Sequence, residues 1–78
     1  MLYENIREET IYIPLLNEGT DVWRPASALE VGPRTFVVLL TQPYDPEAEE
    51  WEFPPGSVVV CQEKSSSDGV KLIAVSRA

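Results

Sequence analysis

The chain has 78 residues, 44% hydrophobic and 24% charged, with 13 acids against 6 bases and a formal net charge of −7. That length holds one small domain with a limited core, and the apolar content is too high for a disordered chain despite seven prolines. The acidic balance disfavours nucleic-acid backbones and anionic membranes and leaves basic proteins or metal cations as the more compatible partners.

Residues 1–9 carry Leu2 and Ile6 four apart, too little for a stable helix alone, and read as a flexible arm or single turn. Residues 10–13 (Thr10-Ile11-Tyr12-Ile13) are β-branched and aromatic and predict a strand, which Leu15 and Leu16 can extend. Pro14 has no N–H, so it places this strand at an edge or ends its pairing there. Asn17-Glu18-Gly19 predicts a turn. Residues 20–31 form a second extended segment in which Trp23, Leu29 and Val31 share a face, with a bulge or break at Pro25. Gly32-Pro33 turns the chain. Residues 34–41 are the clearest strand; Phe36-Val37-Val38-Leu39-Leu40 is apolar at every position and predicts a central strand covered on both faces.

Residues 42–50, with Pro43 and Pro46, read as a loop, Trp51-Glu52-Phe53 as a short strand or loop edge, and Pro54-Pro55-Gly56 as a turn. Residues 57–63 are a fourth strand. A polar loop over 64–69 closes on Asp68-Gly69. Residues 70–76 are the last strand. Short strands at regular spacing, with turn chemistry between them, predict an all-β, antiparallel, small five-stranded and partly open barrel of SH3-like or OB-like size, in a single domain over 1–78.

The chain has no histidine, which removes the His-dependent nucleophilic mechanisms and His-containing zinc sites. Its single cysteine, Cys61, cannot form an internal disulfide and follows an apolar run, so it reads as a buried structural thiol in a reducing, cytoplasmic setting. The four glycines are too scattered for a phosphate-binding loop. No signal peptide and no membrane-length apolar run is visible. The carboxylates sit in polar loops that give no reason for the shifted pKa of an acid–base catalyst. The expectation is therefore no enzyme, no cofactor and no metal.

Two aromatic segments carry the distinctive chemistry. Asp45-Pro46-Glu47-Ala48-Glu49-Glu50-Trp51-Glu52 has five acids and no base. Asp45, Glu47 and Glu49 alternate like the start of an EF-hand loop, but Glu50 stands where glycine is required and Gly56 where the bidentate Glu belongs. Pro43-Tyr44-Asp45-Pro46 has the spacing of a proline-rich ligand without an adjacent base. Trp23 and Arg24 admit two readings: Trp23 in the core with Arg24 paired to an acid, or Trp23, Tyr44 and Trp51 together on an aromatic shelf for a cationic ligand.

Gly19-Thr20-Asp21-Val22-Trp23-Arg24-Pro25 and Trp51-Glu52-Phe53-Pro54-Pro55-Gly56-Ser57-Val58-Val59 resemble stretches shared by a group of short bacterial proteins without an established activity. The resemblance implies a bacterial source and a small β fold, and assigns no site. The likeness to SH3 domains is one of architecture alone. The role expected is a non-catalytic binding or accessory module that meets a protein partner through the acidic, aromatic loop 42–53. Its contact residues would be Trp51, Tyr44, Asp45, Glu47, Glu49 and Glu50, with Trp23 and Arg24 beside them. The alternatives are a cationic-ligand site on the aromatic shelf and a homo-oligomer paired through the strand edge at 10–13.

Overall fold

The computed structural model describes residues 8–19 and 22–78. The expected arm over residues 1–7, and Thr20 and Asp21 of the first aromatic segment, lie outside them. Six strands form: β1 (Glu8–Leu16), β2 (Trp23–Gly32), β3 (Thr35–Val38), the two-residue β4 (Glu50–Trp51), β5 (Val58–Ser66) and β6 (Gly69–Arg77). Glu8 and Glu9 of the expected arm open β1, paired with Leu29 and Ala28. Five strands close a ring in the order β1-β2-β3-β5-β6, back to β1. The all-β, partly open small barrel predicted from strand spacing is what forms. Its pairs are antiparallel except β6 on β1, which run parallel and meet at Tyr12↔Ile73.

Alternation of side chains fixes the interior. Ile11, Ile13 and Leu15 of β1 point inward with Ala26 and Ala28 of β2, Phe36 and Val38 of β3, Val59 and Cys61 of β5, and Ala74 of β6. Large residues face small ones, as in Ile11↔Ala26, which suits the narrow interior of a small barrel. β3 is central, between β2 and β5, but shorter than predicted and covered on one face. Phe36 and Val38 are buried, while Leu40, beyond the strand, is 76% exposed. A one-layer barrel has only one inside, so a continuous apolar run cannot be buried at every position.

In β2, Trp23, Leu29 and Val31 do share a face, but it is the outward one, so Trp23 is not a core residue, and pairing runs unbroken past Pro25. Trp23 is half-buried and Val31 is exposed on the outward face, whereas the inward face carries Ala26 and Ala28. The register shifts between Glu30 and Gly32, and Arg34 takes φ 55° in the turn that follows. The distal hairpin also differs: β5 runs to Ser66, and a two-residue turn at Ser67 and Asp68 leads to Gly69 at φ 114°. Residues 62–65 and 67–70 are exposed, so no hydrophobic pattern marks these strand ends.

The prolines decide where pairing stops. Leu15 N–H donates to the Val22 carbonyl at 2.9 Å, so odd residues of β1 bond to β2 and even ones face the other neighbour. Pro14 therefore has no donor to offer on the β6 side, and its carbonyl instead accepts from Glu52 N–H at 2.9 Å. The strand continues through Pro14 rather than ending there, and passes from β6 to β4, with Leu15↔Trp51 and Leu16↔Glu50. The edge at 10–13 is paired along β2 and meets β6 at Tyr12, which leaves it a poor template for a second copy.

Past the end of β3, a side chain replaces a strand. Gln42 accepts from Ser27 N–H at 2.8 Å and donates through Nε2 to the carbonyls of Ser27 and Leu39, at 2.9 and 2.8 Å. The amide adds to the hydrogen bonding of β2 at Ser27, whose carbonyl also accepts from Leu39 N–H at 3.0 Å. Gln42→Ala leaves part-buried backbone groups without that partner, at a cost of about 1–3 kcal/mol. The check is the urea midpoint of the purified variant, with loss expected and Gln42→Glu only partly restoring it, because a carboxylate cannot donate.

Candidate functional site

One end of the barrel is closed by the segment between β3 and β5. Trp51 is 5% exposed and Phe53 4%, and both join the core. The tight return after them needs Gly56, whose φ is 95° and where a Cβ would lie 3.2 Å from Leu40 Cδ2. Ser57 Oγ donates to the Pro54 carbonyl at 2.6 Å and accepts from Arg77 Nη1 at 3.3 Å.

The acidic stretch is folded upon itself. The Asp45 carbonyl accepts from the N–H groups of Ala48 and Glu49 at 3.0 and 3.1 Å, and Asp45 Oδ1 accepts from Glu47 N–H at 3.0 Å. This is the local turn that a short carboxylate side chain stabilises. It presents Glu49 to two donors. Arg24 donates through Nε and Nη2 to the two Glu49 oxygens at 2.8 and 2.7 Å, and the Trp51 indole N–H adds a third bond at 2.9 Å. The Arg24 bonds first, and the indole second, hold the Glu49 carboxyl down at about 2, and the same contact raises Arg24.

Of the residues expected to make contacts, Arg24, Tyr44, Asp45, Glu49 and Trp51 line one open groove of about 440 Å³, with Pro43 and Ala48 completing its wall. Tyr44 and Trp51 rings stand 4.8 Å apart and tilted, and Trp51 N–H approaches the Tyr44 hydroxyl at 3.4 Å. Glu47 is exposed on the same turn, outside the groove wall. Glu50 accepts from Asn17 Nδ2 at 3.2 Å, back toward β1. Trp23 is apart from the other two aromatics: it sits opposite Pro14 on the outward face with Lys64 Nζ 5.0 Å from its ring centre. The shelf of three rings is thus a pair. Arg24 does pair with an acid, as one of the two readings had it.

Trp51 is an internal plug with one edge in the groove rather than an exposed anchor. Glu49 is committed to Arg24 and the indole. Asp45, Tyr44 and Glu47 are the predicted residues best placed to meet a ligand. Pro43 and Ala48 were not singled out because neither carries distinctive chemistry. Cys61 lies in the core as expected, its thiol pushed up to about 11 by burial and so chemically quiet at neutral pH. Among the described residues, no group of three or more metal-ligating side chains stands together, and no helix is long and apolar enough to cross a membrane. Comparison of the chain with family models, curated proteins and solved structures returned no match.

The depressed Glu49 carboxyl has a defined pH signature. Folded Glu49 binds its proton less readily than the unfolded chain, so its contribution is fully present above about pH 4.5, the usual carboxylate range, and is lost as pH falls toward about 2. Urea unfolding of wild type against Glu49→Gln should show the two curves converging across that window as pH drops. A Glu49 side-chain carbon that titrates by NMR near an ordinary carboxylate value would contradict the three-donor arrangement.

Proposed function

We propose that this chain is a non-catalytic binding module whose groove beside loop 42–53 receives a cationic segment of a protein partner. The observation that carries the reading is the groove itself: an apolar wall of Pro43, Tyr44 and Ala48 with the Asp45 carboxylate at its side, on a chain of net charge −7. The Tyr44 face suits a lysine or guanidinium group, and the Asp45 and Glu47 carboxylates add attraction at the rim. Arg24 does not repel such a ligand strongly, because Glu49 neutralises it in a bidentate pair. The turn is fixed by its own hydrogen bonds before any ligand arrives, so little ordering is required on binding.

The absence of histidine from the sequence, and a Glu49 carboxyl held low rather than raised toward neutrality, favour binding over acid–base catalysis. A single buried thiol fits a soluble protein of a reducing cytoplasm. Backbone phosphates and anionic lipid would meet net repulsion.

The test is an amide NMR titration with a short Lys/Arg-rich peptide, beside a Glu-rich peptide of equal length. The expected result is shifts at Tyr44, Ala48 and the Trp51 indole with the basic peptide alone, reduced by added salt. Asp45→Asn and Glu47→Gln should each weaken binding about two- to fivefold, the range of an exposed ion pair. Shifts elsewhere, or equal response to both peptides, would overturn the assignment.

A further inference from the structure

The outward face of β1 and β2 carries a second, differently charged surface. Register places Tyr12 opposite Pro25 and Pro14 opposite Trp23, so aromatic rings and prolines alternate on the outside of the barrel. Ile73 is the parallel partner of Tyr12 and is buried, although it does not belong to the main core cluster. Lys64 Nζ lies 5.0 Å from the Trp23 ring centre and Lys71 Nζ 5.5 Å from that of Tyr12. These are the only two lysines of the chain. A protein of net charge −7 thus gathers both on one aromatic and proline-rich face, where Lys71 Nζ also lies 3.7 Å from Asp68 Oδ2 and Lys64 stands over Trp23.

Such a face suits a ligand with a proline to lay against an aromatic ring and a carboxylate to meet an ammonium group. The chain exposes such a segment itself. Asp45, Pro46 and Glu47 are all exposed, and the turn that presents them is already held by the Asp45 carbonyl and carboxylate. We propose that the Asp45-Pro46-Glu47 tip of one copy docks on the Trp23–Lys64 face of a second copy, head to tail. Two such faces meeting each other would bring lysines together. The complementary arrangement joins unlike surfaces, and leaves one of each unused for the next copy.

Sedimentation velocity of the full chain at low ionic strength, over rising concentration, tests this. The wild type should form species beyond the monomer that added salt disperses. Lys64→Glu and Glu47→Lys should each weaken association about tenfold or more, since like charges then face one another. A chain carrying both changes, or an equimolar mixture of the two single variants, should recover it. A wild type that stays monomeric throughout, or associates equally with Lys64→Glu, overturns the proposal. If the wild type stays monomeric but a synthetic peptide covering residues 43–48 shifts the Trp23 indole resonance, the face takes an acidic segment of another protein, which also overturns docking of a second copy. Lys64→Glu leaves the groove intact, so basic-peptide shifts at Tyr44 and Ala48 report on the groove separately.

Discussion

The Trp51 indole is the point on which the rest of the molecule turns. Its ring fills the end of a barrel whose core has few large side chains, and β2 contributes only alanines to the interior. Its N–H reaches Glu49, and Glu49 holds Arg24 at the start of β2. One side chain thus packs the core, closes the barrel end and fixes the loop that shapes the groove. In a domain this small, no other element could take over its volume.

That dual role explains why the acidic loop is ordered despite its composition. Five acids without a base would repel one another in an unconstrained segment. Here Glu49 is neutralised by Arg24, one Asp45 oxygen accepts a backbone N–H, and Glu50 meets Asn17. The remaining carboxylates face solvent. Charge that reads as one block along the chain is divided in space between internal ties and a presenting rim.

The strands were legible because β-branched and aromatic runs stand between turn residues, and the Asn17-Glu18-Gly19 and Pro54-Pro55-Gly56 turns fell where glycine takes positive φ. The face of β2 was not, because its buried positions are alanines and its bulky residue, Trp23, lies outside; size was a misleading guide to burial. The hairpin itself was legible, but the extension of its strands past Glu63 to Ser66 and back from Gly69 was not, since a ribbon open to solvent needs no apolar alternation. Gln42 could not be found from its neighbours at all, as its role comes from Ser27, fifteen residues away. For the site, the residue types were readable, but the split between Glu49 as a tie and Asp45 and Glu47 as rim depended on where Arg24 arrived.

The parallel β1–β6 seam has a consequence for the order of assembly. β1–β2, β2–β3 and β5–β6 join neighbouring segments, and each can form with a short closing loop. Tyr12 and Ile73 lie near opposite ends of the chain, and Pro14 denies their seam a further donor. Bringing them together carries the largest loop entropy for the fewest backbone bonds. The ring is therefore a row of hairpins wrapped about Trp51 and fastened last, with its weakest join beside Tyr12.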